Sequence, residues 1–254
     1  LQRRKNYKKA KQFFKNSLEL GNHEAMYEYG KMLFKGIESQ IDKENAIKYY
    51  LMSIYFDNFK AMFKYGLLLK NGDDYIEKDI EKAVYYIKIS AEKGYSKAMY
   101  YYSLMLETGD GIEIDKLNSL NYLKKAAKNG YVEAINKYTE LIINDKDQKE
   151  LNEILPLLKN ACEKGNFYSM YLFSMLFFNG INVSISQEDA IKYIIIAAYN
   201  NQVDSMAYYG HILLNGNGVS VDKKKAIKFF KKAINKGNAN AMYEYANMLF
   251  YGDN

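Results

Sequence analysis

The feature that most constrains this chain is that it repeats itself. The hexamer Ala25-Met26-Tyr27-Glu28-Tyr29-Gly30 returns from Ala61, Ala98, Ala134, Ser169, Ser205 and Ala241, at intervals of 36, 37, 36, 35, 36 and 36 residues. A second motif, Ala10-Lys11-Gln12-Phe13-Phe14, returns at Ala46, Ala83, Ser119, Ile154, Ala190 and Ala226 with the same six intervals. Two motifs locked to one step mean one supersecondary unit used seven times. Such a unit cannot bury its apolar face alone, so the core has to form between neighbours along the chain. The 254 residues are therefore expected as a single elongated array over 1–254, not as one or two ordinary globules.

Both motifs have helical spacing. In the first, helix A, the start is followed at one residue by Met26, Met62, Met99, Ile135, Met170, Met206 and Met242. At four it is followed by Tyr29, Tyr65, Tyr102, Tyr138, Phe173, Tyr209 and Tyr245, and at eight by Leu33, Leu69, Leu106, Ile142, Phe177, Leu213 and Leu249. These positions share one helical face. The residue five after the start is always small (Gly30, Gly66, Ser103, Thr139, Ser174, Gly210, Ala246), which permits close approach of a neighbouring helix. The second motif, helix B, carries small residues at its start and seven later, with bulky residues three and four from the start, such as Tyr49 with Tyr50 and Phe229 with Phe230. Each helix has an apolar stripe and a charged back. Six of the 11 methionines stand at one position of helix A and read as core.

The punctuation repeats too. Four residues before each helix B start stand Asn6, Asp42, Asp79, Asp115, Glu150, Ser186 and Asp222, of which all but Glu150 are good N-caps. Before each helix A stand Gly21, Asp57, Gly94, Gly130, Gly165, Asn201 and Gly237, and after it Gly36, Gly72, Gly109, Asp145, Gly180, Gly216 and Gly252. Gly, Asn and Asp tolerate the left-handed conformation that ends a helix. The chain thus reads B-A seven times, or fourteen helices, and the scarcity of proline (one residue) agrees. Both ends fall between paired helices and no initiator Met is present, so the chain is expected to be a fragment of a longer one. One repeat departs from the pattern: over about 140–160 a loop glycine and one residue are lost, and Pro156 falls near the start of the following helix. That helix is expected either to start late or to kink.

The loop Gly216-Asn217-Gly218-Val219-Ser220-Val221-Asp222, followed by Lys225-Ala226, Phe229-Phe230-Lys231-Lys232-Ala233 and a closing Gly237, matches the loop Gly109-Asp110-Gly111-Ile112-Glu113-Ile114-Asp115. This pattern resembles the Sel-1-like repeat (SLR) family, a branch of the tetratricopeptide-like helical repeats. The ordinary tetratricopeptide repeat steps by 34 residues and ends its second helix in proline; here the step is near 36 and that end is glycine. The resemblance covers essentially the whole chain. It implies an all-α fold, an α-solenoid built as a right-handed superhelix of about seven helical hairpins. It also implies a scaffold or adaptor role in protein–protein interaction, as in endoplasmic-reticulum quality control, signalling and bacterial effectors. A cysteine-rich bacterial branch, with a disulfide in each repeat and a link to β-lactam binding, does not fit a chain whose single cysteine is Cys162.

No catalytic motif is present, so no catalytic residue, metal or cofactor is assigned and no small-molecule substrate is expected. Cys162 sits where other repeats place Leu18, Ile54 or Ala127 and reads as a small core residue. Gly216-Asn217-Gly218 reads as a repeat loop more readily than as a phosphate cradle. His23 and His211 have no partner at ligand spacing and read as surface or groove residues. By analogy with tetratricopeptide grooves, the residue two into helix A should face the concave side: Tyr27, Phe63, Tyr100, Asn136, Tyr171, Ala207 and Tyr243. Lys31, Glu140 and His211, four residues further on, extend this into a candidate strip for a protein or peptide partner. Packing between neighbouring A helices is an equal alternative for these positions.

Net charge is +6, unevenly placed: residues 1–16 hold seven basic residues and no acid, and residues 222–236 hold seven lysines and one aspartate. These stretches fall on B helices, and a solvated face is favoured over nucleic acid or an anionic membrane, since no aromatic nucleic-acid motif accompanies them. The function expected is a non-enzymatic scaffold binding a protein segment. The alternative is an interaction region of a larger enzyme or membrane complex, such as a ubiquitin-ligase adaptor or a kinase-linked array. No signal peptide opens the chain and cysteine is scarce, which favours a cytoplasmic setting; the endoplasmic-reticulum lumen fits if a signal lies outside this stretch. The sequon Asn182-Val183-Ser184 is weak support for secretion.

Overall fold

The computed structural model describes residues 2–37, 39–145, 148–181 and 185–252. The sequon at 182–184 and the junction at 146–147 lie outside the described residues. Among those described there are fourteen α-helices and no strand; an isolated antiparallel bridge joins Asp73 and Ile76. Among the described residues no helix is long and apolar enough to cross a membrane. The chain packs as two compact units, Leu1–Asn129 and Gly130–Asn254. The first holds α1 (Gln2–Glu19), α2 (His23–Lys35), α3 (Lys43–Tyr55), α4 (Phe59–Asn71), α5 (Ile80–Glu92), α6 (Ser96–Thr108) and α7 (Lys116–Lys128). The second holds α8 (Val132–Asp145), α9 (Gln148–Glu163), α10 (Phe167–Phe178), α11 (Gln187–Tyr199), α12 (Val203–Asn215), α13 (Lys223–Ile234) and α14 (Ala239–Tyr251). Odd-numbered helices are the B helices of the repeat and even-numbered ones the A helices. The all-α helical-repeat fold is as expected.

The ends of the helices explain the constancy of the step. After each B helix the chain enters the left-handed region, with φ between 63° and 92° at Gly21, Asp57, Gly94, Gly130, Gly165, Asn201 and Gly237. The amide one residue later returns to a carbonyl in the last turn, as in Asn22 to Ser17 and Asn58 to Ser53, both 3.1 Å. That closes a Schellman-type end. The same Asn22 then caps the next helix, its side chain accepting from the amides of Glu24 and Ala25; Asn58, Asn166, Gln202 and Asn238 cap their A helices alike. A tight turn of three residues, four between α13 and α14, therefore ends one helix and starts the next. On the other side of the repeat, Asp42, Asp79, Asp115, Ser186 and Asp222 cap the B helices with their side chains. The four aspartate amides also bond the carbonyl eight residues into the preceding A helix, as in Asp42 to Leu33 at 3.0 Å. One expected cap is different: Asn6 lies inside α1, as Glu150, at the same place in the pattern, lies inside α9, because both helices begin earlier than the repeat pattern places them.

Packing is most extensive between an A helix and the B helix after it, as for α2 with α3, α4 with α5, α6 with α7, α10 with α11 and α12 with α13; the pair α8 with α9 of the irregular repeat is the exception. The small residue of helix A makes this possible. A Cβ on Gly30 would stand 2.9 Å from the Tyr50 ring, one on Gly66 2.8 Å from Ile87, and one on Gly210 2.7 Å from Phe230. Beside this contact an aromatic pair recurs: Tyr29 with Tyr49, Tyr65 with Tyr86, Tyr102 with Tyr122, Phe173 with Tyr193 and Tyr209 with Phe229. All five are edge-to-face with centroids 4.9–5.3 Å apart. Such pairs add about 0.5–1.5 kcal/mol each beyond the area they bury. Between α8 and α9 the B-helix position is Leu157, and Tyr138 instead donates its hydroxyl to Glu150 at 2.7 Å. The same interface between an A helix and the B helix after it also carries polar ties: the buried Ser53 of α3 and Ser90 of α5 donate their hydroxyls to the carbonyls of His23 and Phe59 at the starts of α2 and α4, each at 2.7 Å.

The irregular repeat does not start late. α9 runs from Gln148 with Pro156 inside it. Proline in a helix interior removes one ladder hydrogen bond and crowds the preceding turn. Here Pro156 stands on the exposed side, while Leu151, Ile154 and Leu158 on the other side are buried. Cys162 is buried in the same helix, and burial pushes its thiol pKa up to about 12, which suits a core residue and not a nucleophile.

Gly130→Val is expected to destabilise the protein by about 1–2 kcal/mol through its left-handed backbone alone, since no atom stands near its missing Cβ; an unchanged denaturation midpoint would contradict this. Tyr50→Phe is expected to behave oppositely. The Tyr50 hydroxyl is buried with no partner among the described residues, so its removal should leave stability equal or raise it by up to about 1 kcal/mol. A fall of more than that in a melting experiment would show an unrecognised partner.

Candidate functional site

The candidate strip lies on the A helices, at the position two into each helix, with flanking positions one before the start, three after it and six after it. In the first unit this face is crossed by ion pairs. Glu24 accepts from Lys60 Nζ at 2.5 Å and from Asn58 Nδ2 at 2.8 Å, tying α2 to α4. The Lys60 hydrogen bond is the main cause that lowers the Glu24 pKa. Lys31 pairs with Glu28 at 2.8 Å and lies 5.0 Å over the Tyr27 ring. Tyr27 is half-buried, and burial raises its hydroxyl pKa. Lys64 is set over Phe34 at 4.4 Å; burial, then Lys35 and Lys97, lower its pKa. Tyr100 packs edge-on against Tyr101.

Phe63 is a correction to the candidate strip. It is only 4% exposed, beneath Tyr95 and Tyr101 with Lys97 above, so its ring supports the face without reaching a partner. Asn136 in the second unit is buried likewise, accepting from Ser169 Oγ at 2.7 Å, and Ala207 is 8% exposed. Phe63 and Asn136 thus pack against neighbouring A helices, as in the alternative reading of this position.

In the second unit the same face opens into a pocket of about 360 Å³ between α10, α12 and α14. It brings together three residues of the candidate strip, Tyr171, His211 and Tyr243. It adds Asp204, Tyr208, Asn238, Asn240 and Glu244, with Ala207 as its floor. Tyr171 stacks on Tyr168 and meets Tyr208 edge-on at 5.9 Å; Tyr208 stacks on His211. Burial pushes the Tyr208 hydroxyl pKa up to about 12, and the hydroxyl donates to Asn179 Oδ1 at 3.2 Å. Glu140, also on the candidate strip, accepts the Tyr168 hydroxyl. Asp204 accepts from Gln202 and Asn238, each at 3.1 Å, and Glu244 is 3.2 Å from His211 Nδ1. Tyr243 stands at the pocket rim, 68% exposed.

The sequence reading missed Asp204, Tyr208, Asn238, Asn240 and Glu244. The signal was available: positions one before and three after the start of helix A share a face with the position two after it, at helical spacing. Among the described residues no group of His, Cys, Asp and Glu could hold a metal ion. The basic stretch of α13 is partly committed to the chain itself: Lys225 lies over Tyr199 and Tyr209, Lys231 over Tyr245 and Lys232 over Phe229. The glycine-rich loop at 216–218 packs back onto α11, where a Cβ on Gly218 would meet Gln187 and Ile191.

Comparison with known proteins gives a consistent result. The Sel1 repeat model matches residues 2–22, 23–55, 59–95, 96–131, 168–202, 203–238 and 239–254. Five of those segments pair an A helix with the B helix after it, the first and last cover α1 and α14 alone, and none covers α8 and α9, the irregular repeat. A solved structure of a protective antigen present in uropathogenic Escherichia coli strains, displaying an SLR fold, is similar with TM-score 0.75 at 20% identity. It is covered over 52% of its length and this chain over 95%, so the chain spans about half of that structure. A Sel1 repeat protein from Oxalobacter formigenes gives TM-score 0.68 at 24% identity, with 95% of this chain and 70% of that one covered. At these identities the likeness concerns the fold. Among curated proteins none matches significantly.

The different placement of two candidate residues has a measurable consequence. Phe63→Ala is expected to destabilise the protein by about 3–5 kcal/mol, as for a buried aromatic. Tyr243→Ala should change stability by no more than about 0.5 kcal/mol. Equal losses in chemical denaturation would show that the two rings are not divided between core and surface.

Proposed function

From the premise that the chain belongs to the Sel1 repeat family, whose helical scaffold fold generally serves protein–protein interaction, we propose that it binds a protein segment along the face of its A helices. The observation that carries this reading is the pocket between α10, α12 and α14, open and lined by tyrosines and carboxylates. Tyrosine offers a large contact area and a hydroxyl at low entropy cost, a combination suited to peptide recognition. Tyr27, Lys31, Tyr100, Glu140, Tyr171, His211 and Tyr243 are the contact residues of this reading; the buried Phe63 and Asn136 are not among them. No catalytic role is assigned. A nucleic-acid partner is less supported, because lysines of α13 are engaged with aromatic rings of the chain.

A displayed library of random peptides, selected against the full chain, tests the proposal. Selected peptides should lose at least tenfold in affinity for Tyr243→Ala and for Tyr171→Ala, and should bind a control altered on the outward side of α13, Lys228→Ala, as before. Peptides that bind the tyrosine variants undiminished would place the binding surface elsewhere. Retention on DNA that depends on salt and vanishes when the charges of Lys223–Lys225 are reversed would favour the basic helix instead.

A further inference from the structure

We infer that the pocket between α10, α12 and α14 takes a cationic side chain of the bound segment, an arginine in preference to a lysine. This rests on the reading of the A-helix face as a peptide site and names the chemistry of one subsite within it.

The argument comes from comparing the repeat with itself. In the first unit, the carboxylate one residue before the start of helix A is Glu24. It receives the side-chain amide of the next A helix's cap, Asn58, and the ammonium of Lys60 two residues later, at 2.8 and 2.5 Å. In the second unit the corresponding carboxylate is Asp204, and the corresponding cap, Asn238, donates to it in the same way at 3.1 Å. The residue corresponding to Lys60 is Asn240, which is shorter and neutral and lines the pocket. The repeat's own cation is thus missing at Asp204, and a pocket of about 360 Å³ is left beside it. That volume lies at the lower end of the roughly 300–1,000 Å³ typical of small-ligand sites.

The rest of the lining suits a cation. Three residues after the start of helix A, where α4 has Lys64, α14 has Glu244. One oxygen of Glu244 faces His211, and the other has no partner among the described residues. No lysine or arginine lines the pocket, and Asp204 has no ion pair among the described residues. Tyr171, Tyr208 and Tyr243 supply aromatic faces over which a guanidinium can stack, while its fork of donors reaches the two carboxylates. Arg is preferred over Lys because its planar, weakly hydrated group both stacks and binds bidentately.

The test uses the full chain and three blocked tripeptides, acetyl-Gly-Arg-Gly-amide, its lysine analogue and its citrulline analogue, titrated while the backbone amide resonances of Ala207, His211 and Glu244 are followed. The arginine peptide should shift these resonances saturably. The lysine peptide should do so more weakly, and citrulline, which keeps the shape and removes the charge, at least tenfold more weakly. Asp204→Asn with Glu244→Gln, near-isosteric changes whose folding the same spectra report, should weaken arginine binding at least tenfold. Citrulline binding equal to arginine, shifts unaffected by the double change, or no shift at all would each overturn the inference. The library peptides separate this from the proposed function. Peptides that need Tyr243 but contain no arginine or lysine would remove the cation subsite and leave the peptide-binding face. Saturable arginine binding beside a library that yields no tyrosine-dependent peptide would support the subsite and remove the broader reading.

Discussion

Close contact between a small residue on helix A and a bulky one on the following helix B is the interaction on which the rest of the structure depends. Gly30 lies against Tyr50, Gly66 against Ile87 and Gly210 against Phe230, each too near to admit a Cβ without a shift. Because the backbones approach there, the residue one position earlier on helix A meets the residue one position earlier on helix B, and the edge-to-face aromatic pair follows. Dispersion and burial are strongest where no void is left, so the A-to-B interface carries the most extensive packing. The loop between them is held by the bond from the cap's amide to the A-helix carbonyl, which leaves little freedom in the step.

The face away from the B helices is under weaker constraint. No B helix packs against it, and neighbouring A helices cover it only at places such as Phe63 and Asn136, so its positions one before, two after and three after the start of helix A vary in charge and size. That freedom is where the units differ. In the first unit, lysines from one repeat meet acids or rings of the one before it: Lys60 reaches Glu24, and Lys64 lies over Phe34. In the second, carboxylates and tyrosines remain around a pocket with no internal lysine. A repeat scaffold diversifies in this way because substitutions at the exposed positions of this face leave the core contacts untouched, whereas a change at Gly66 or Gly210 does not.

Much of the fold was legible in the sequence because the same physical requirement is met seven times. A glycine alone is ambiguous, but Gly21, Gly94, Gly130, Gly165 and Gly237, joined by Asp57 and Asn201 in the same register, identify a left-handed helix end, and the backbone adopts it at every one. The failures came where register was the only guide. Asn6 and Glu150 occupy the cap position of the pattern, yet their helices extend past it, because a cap acts only if the chain upstream leaves the helix. Pro156 was expected near a helix start for the same reason, and α9 instead runs through it with the proline on the exposed side. The Asn and Gln caps of the A helices went unread, although they follow directly on the left-handed residue.

The candidate site was less legible. Tyr27, Phe63, Tyr171 and Ala207 stand at one position of the repeat, and the pattern treats them alike; the structure buries Phe63 and Ala207 and leaves Tyr171 lining a pocket. By itself the sequence determined the step, the helix ends and the side of each helix that packs, since these follow from local backbone preference and from the period of the apolar residues. Only the tertiary structure decided which residues of the outer face are covered, and which carboxylate keeps a cation from its own chain. Those outcomes depend on side chains from helices some 36 residues apart, whose reach and charge act together in space.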